Sequence, residues 1–122
     1  MIQIQNVSKS YNGKNKVVKN LSFQVKKGEI VAFIGPNGSG KTTTLKMLTG
    51  ILPCDEGELT IDGLNIAKEP LKAKQMIGYI PDSPDMFLRL KGFEFLNFMG
   101  DVYQVETEVR RERIKELTEL FE

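Results

Sequence analysis

Ile30-Val31-Ala32-Phe33-Ile34-Gly35-Pro36-Asn37-Gly38-Ser39-Gly40-Lys41-Thr42-Thr43 decides the reading of this chain. Five apolar residues without alternation predict a strand buried on both faces. Gly35 to Thr42 then matches the phosphate-loop pattern G-x-x-x-x-G-K-[ST]. Lys41 to Leu48 follows, with Leu45 and Leu48 in helical spacing and no breaker before Gly50, which stands where a helix ends. Strand, glycine loop and helix in that order are what the motif requires. Gly35, Gly38 and Gly40 lack Cβ atoms, so the backbone can bend until its N–H groups converge on phosphate oxygens. The helix start adds unpaired N–H groups and the positive end of the dipole. The Lys41 ammonium is placed to lie against the β- and γ-phosphates, and the Thr42 hydroxyl to bind Mg²⁺, which prefers hard oxygen ligands. A plain strand-turn-helix connection needs neither residue.

Outward from the loop, Ile2, Ile4 and Val7 alternate with polar neighbours and predict a first strand. Ser8 to Lys16 reads as a polar turn, and Leu21, Phe23 and Val25 as a second strand. Glu58 to Ile61 and Leu64 to Ile66 flank Asp62-Gly63 as a hairpin. Leu71 to Met76 makes a short helical turn. Ile77 to Ile80 is a strand stopped by Pro81. Beyond Pro84 the period becomes helical. Phe93, Leu96, Met99 and Tyr103 mark one helix, and Val109, Ile114, Leu117 and Leu120 a second, with Glu106 and Arg110 as an i,i+4 ion pair.

Composition excludes several chemistries. The chain has 122 residues, one cysteine and no histidine, so internal disulfides, cysteine-rich zinc sites and histidine-based catalysis are ruled out. Its longest apolar run, Ile30 to Ile34, is too short to cross a bilayer. A net charge of +1 argues against a nucleic-acid binder. The charge is uneven: residues 1–61 carry eight Lys against four acids, and residues 62–122 nine Lys/Arg against twelve acids. A mildly positive N-terminal half suits an anionic ligand.

The GPNGSGKTT form of the loop, Gly35 to Thr43, resembles that of nucleotide-binding subunits of ATP-binding cassette (ABC) transporters. Met1 to Tyr11, Leu21 to Gly28, Gly57 to Gly63 and Ile77 to Pro81 resemble the family's opening strand, second strand and turn, hairpin and strand into the glutamine loop. The resemblance implies an α/β P-loop NTPase fold of the ABC ATPase type, with an antiparallel β subdomain and the start of an α-helical one. Residues 1–84 are then the N-terminal part of the nucleotide-binding core, and 85–122 the beginning of the helical subdomain.

The resemblance also implies site residues. ATP and Mg²⁺ are the expected ligands, held by Gly35, Pro36, Asn37, Gly38, Ser39, Gly40, Lys41, Thr42 and Thr43. Tyr11 is expected to stack on adenine with Val18 beside it; a tyrosine closing a strand is the alternative. Asp82 stands at the position of the loop glutamine. It is expected to act near the metal with Thr42, and in catalysis with Lys41, or else to close an Asp82-Ser83-Pro84 turn. An acid there resembles the drug-export and ABC-2-type branches. Met86-Phe87-Leu88 and Phe93, Phe95, Phe98 and Met99 read first as helix core. The family places its docking groove for a membrane-subunit helix in the same region.

No Leu-Ser-Gly-Gly-Gln signature, no apolar strand ending in Asp-Glu and no switch histidine occur, so the chain reads as the truncated N-terminal portion of a cassette. The implied parent is the ATPase subunit of a transporter, with an exporter favoured. It sits at the inner face of the cell membrane, in the cytoplasm, with a transmembrane permease subunit and a second nucleotide-binding subunit as partners. The chain alone is not expected to hydrolyse ATP. A small-molecule kinase and a nucleotide-binding module without turnover are the alternatives. Phosphoryl transfer to a small acceptor marks the first, and binding without turnover the second.

Overall fold

The computed structural model describes residues 1–82 and 90–121, which form two compact units, Met1–Tyr79 and Ile80–Glu122. In the first unit, the alternating N-terminal stretch becomes β1 (Ile2–Ser10), and the strand runs three residues beyond its last predicted apolar position, Val7. It pairs antiparallel on one side with β2 (Lys16–Val25) and on the other with β3 (Glu56–Ile61). The Asp62-Gly63 turn returns the chain into β4 (Leu64–Asn65), giving a four-stranded sheet in the order β2-β1-β3-β4.

Ile4 and Val7 are both buried although an odd spacing puts two residues on opposite faces of a regular strand. A bulge resolves this. The pairing of β1 shifts register between Ile4 and Val7, and Asn6 takes a positive φ of 50°. Opposite the bulge, Gly57 at φ 86° approaches the carbonyls of Gln5 and Asn6 so closely that a Cβ would overlap them. The core of this unit comprises Ile4, Val7, Val18, Leu59 and Ile61 from the sheet, Met47 from α1 (Lys41–Leu48) and Ala73 from α2 (Pro70–Gln75), with Ile66. Helix α1 ends as its sequence predicts. Gly50 lies at φ 66° and donates its N–H to Met47 O (3.1 Å), while Ile51 N–H reaches Lys46 O (2.9 Å), closing a Schellman motif.

Ile30 to Ile34 does not form the predicted buried strand. Ile30 is fully exposed and Ile34 is 93% exposed. Phe33 is the exception, meeting Phe23 edge to face at 5.1 Å. An apolar run becomes strand only where neighbours supply its hydrogen bonds, and among the described residues no strand pairs with it. Ile77 to Ile80 likewise forms no strand; Ile77 packs at the margin of the core.

The second unit holds α3 (Gly92–Val102) and α4 (Thr107–Phe121). Lys91 N–H is accepted by the Glu94 carboxylate at 2.9 Å, fixing the start of α3. Glu106 and Arg110 do not form the expected ion pair. The guanidinium turns to Asp101 (2.7 Å) and donates to Asn97 O and Val105 O, joining the end of α3 to the turn before α4. Gly100 makes the room, for a Cβ there would overlap the Arg110 side chain. Phe93, Leu96 and Phe98 stay substantially exposed, and no residue of α4 is buried, so the aromatic set does not form the expected core among the described residues. Met86, Phe87 and Leu88 lie outside the described residues, as do Ser83 and Pro84.

Glycine-to-alanine changes usually stabilise a helix. Gly100→Ala is expected to do the opposite, lowering stability by about 1–2 kcal/mol, because the new methyl displaces Arg110 from three acceptors. Urea unfolding checks this; a stabilised variant contradicts it.

Candidate phosphate-binding site

The loop from Gly35 to Gly40 joins the apolar Ile30–Ile34 segment to α1. Its shape depends on glycine at defined places. Gly38 and Gly40 adopt φ of 81° and 89°, where side chains are strained. Gly40 also lies against β2, since a Cβ there would sit 3.0 Å from Val17 O and Val18 Cγ2. At Gly35 a Cβ would meet Ser39 Oγ at 2.8 Å. Ser39 N–H closes the turn on Pro36 O (3.3 Å).

Helix α1 starts at Lys41 behind the left-handed Gly40, with no side chain capping its first N–H groups. Those donors and the dipole end are thus directed at the loop. The Lys41 ammonium curls back and donates to Gly35 O (2.6 Å) and Pro36 O (2.8 Å), which ties both ends of the loop and fixes a positive charge above it. Thr42 is exposed. Thr43 is buried, and Thr44 bonds back to Gly40 O (2.9 Å). A cavity of about 340 Å³, lined by Val17, Lys19, Phe33, Pro36, Lys41 and Thr44 among others, adjoins the loop. This donor set fits a polyphosphate. Among the described residues no group of three or more Cys, Asp and Glu stands close enough to hold a metal ion.

Tyr11 follows β1 and is 63% exposed. Its hydroxyl lies 3.2 Å from Thr43 Oγ1, so the ring is anchored to the first turn of α1, beside the phosphate loop. Sequence spacing gave no sign of this link across 32 positions. Val18 is buried in the core behind Gly40, and its contact with the loop is to the back of that glycine. Asp82 belongs to the second unit, and the following residues, 83–89, lie outside the described ones.

Two ion pairs flank Tyr11. Lys9, 8% exposed, donates to Asp55 Oδ1 (2.6 Å), and Lys16 to Glu56 (2.6 Å). The Lys9 bond, and then the Ser10 N–H, hold the Asp55 carboxyl below the ordinary range; Lys16 does the same for Glu56. Neither pair was legible in the sequence.

The ABC transporter family model matches residues 18–121. The chain belongs to this family. LnrL, the linearmycin resistance ATP-binding protein of Bacillus subtilis, is 41% identical to this ABC protein over 119 residues, covering 98% of the chain and 38% of LnrL. LptB, the lipopolysaccharide export system ATP-binding protein of Escherichia coli K12, is 40% identical over 120 residues, covering 96% and 49%. A solved ATP-binding subunit of an ABC transporter superimposes with a TM-score of 0.80 at 30% identity, over 88% of this chain and 45% of that one. The chain thus spans less than half the length of these relatives. Its antiparallel sheet and phosphate-loop helix are those of an ABC ATPase.

Proposed function

We propose that this chain forms the ATP-binding part of a transporter's ATPase subunit, with the Gly35–Thr43 loop holding the triphosphate and Tyr11 the base. The observation that carries the reading is Lys41 folded over a loop of left-handed glycines at an uncapped helix start. Backbone N–H groups of the Gly35–Thr43 loop would bind the phosphate oxygens, Lys41 would neutralise the β- and γ-phosphates, and Thr42 would offer the metal its hydroxyl. Mg²⁺, when bound, would supply charge neutralisation at the phosphates. Asp82, at the position of the loop glutamine, is the acid that this reading would assign to the metal or to the attacking water. Val18 supports the site from behind Gly40.

The parent protein hydrolyses ATP as a peripheral subunit on the cytoplasmic face of the membrane. It works with a permease subunit and a second nucleotide-binding subunit. Among the described residues no helix is long and apolar enough to cross a membrane, and the likeness to the lipopolysaccharide export protein LptB favours export. Exposed Phe93 and Leu96 on α3 suit docking of a permease helix. A separate kinase reading has no support from the family match.

Stacking is tolerant of base identity. Tyr11→Ala is therefore expected to weaken Mg²⁺–ATP and Mg²⁺–GTP alike, by about 1–3 kcal/mol. Calorimetric titration of both nucleotides decides. Loss confined to ATP would point to readout of the base edge, and unchanged binding of both would remove Tyr11 from the site.

A further inference from the structure

We propose that Asp55, bridging the Lys9 ammonium and the Ser10 N–H, is a positioning residue that presets Tyr11 for the nucleotide base. The inference rests on the reading of Tyr11 as a base platform. It starts from a gap in the sheet. The last pair of the β1–β3 ladder is Ser8 with Glu56. Beyond it β3 has ended, yet β1 continues to Ser10. Asp55 fills that step with both backbone and side chain. Its N–H donates to Ser8 O (3.0 Å), and its Oδ2 accepts the Ser10 N–H (2.7 Å). The carboxylate thus stands where a further strand residue would present its carbonyl.

The other oxygen, Oδ1, accepts from Lys9 Nζ at 2.6 Å. That side chain is only 10% exposed, and a buried ammonium is costly without a partner. Asp55 is therefore held in one place by two donors from consecutive residues of β1. Tyr11 is the next residue. Its far end is fixed as well, by the 3.2 Å contact of its hydroxyl with Thr43. The ring is anchored at its backbone by Asp55 and at its tip by α1. A preset platform binds better than a mobile one because ordering it on binding costs affinity.

The neighbouring pair Lys16–Glu56 has the same length but is exposed on both sides, and the further hydrogen bond of the Glu56 carboxylate goes to Ser8 instead of Ser10. It is the built-in control.

The test uses the full chain and two probes, Mg²⁺–ATP and Mg²⁺–tripolyphosphate, the second having phosphates but no base. Asp55→Asn keeps an acceptor while removing the charge. It is expected to weaken ATP binding about 3- to 10-fold and to leave tripolyphosphate within about twofold. Glu56→Gln should change neither. In a Tyr11→Ala background, Asp55→Asn should cost ATP nothing further, because residues acting through one another are non-additive. Where Asp55→Asn does not fold, Lys9→Met serves, since it removes the buried charge without uncovering another. It should again weaken ATP and spare tripolyphosphate. Equal losses for both probes would make Asp55 merely structural and overturn the proposal, as would unchanged ATP affinity or a full additional loss in the Tyr11→Ala background. If Tyr11→Ala itself leaves ATP binding unchanged, the base-platform reading fails first and takes this proposal with it.

Discussion

Lys41→Ala is expected to weaken Mg²⁺–ATP binding by about 2–4 kcal/mol, a loss of roughly 30- to 1,000-fold. Two contributions add in the same direction. The ammonium is the strongest positive charge placed over the loop, and a charge-assisted contact to phosphate goes with it. Lys41 also ties Gly35 and Pro36 through their carbonyls, at 2.6 and 2.8 Å, so alanine frees the loop that must order around the ligand. Both contributions act on the phosphate end. Tripolyphosphate and ATP should therefore lose affinity together, unlike the selective loss expected at Asp55. Superimposable ATP titrations for the two proteins would contradict the assignment of the loop.

Gly57→Ala is expected to have the largest effect on folding, lowering stability by about 3–5 kcal/mol. The position sits at φ 86°, which alone costs a side-chain residue about 1–2 kcal/mol. The added Cβ would overlap two backbone carbonyls, those of Gln5 and Asn6, and backbone has no rotamer into which to escape. Relief requires β3 to move away from the β1 bulge. That bulge is what allows Ile4 and Val7 to face one core. Denaturant unfolding should show a large fall in midpoint. An unchanged midpoint would mean that the β1–β3 register differs from the one described.

How far these features can be read from the chain depends on where their causes lie. Helix α1 was legible to the residue because Gly40 and Gly50 bracket it, and both are needed for local backbone reasons. The Asp62-Gly63 hairpin is a local signal of the same kind. Ile30 to Ile34 misled because its pattern specifies a need for neighbours and not their presence. Strand formation is decided by hydrogen-bond partners far along the chain. Val7 was legible as apolar, but the bulge that turns it inward was not, since the register shift around Asn6 is made against β2 and β3, which lie outside its local sequence. Arg110 followed geometry instead of the i,i+4 rule, because a glycine one helix away opened a better site among three acceptors. In the site, the glycine loop, Lys41 and Thr42 carry their chemistry in their spacing. The Tyr11–Thr43 contact and the Lys9–Asp55 clamp join residues 32 and 46 positions apart, and nothing local announces them.

Locating the bound nucleotide on the chain tests the account most directly. Photolabelling with an azido-adenine analogue of ATP, followed by peptide mapping, should place the label on the segment containing Tyr11. Excess ATP should suppress it, and Lys41→Ala should reduce it strongly at fixed analogue concentration. Labelling that excess ATP suppresses but that falls on the separate apolar cavity of about 300 Å³ around Leu52, Cys54 and Ile66 would contradict the account, because the base would then lie away from the phosphate loop.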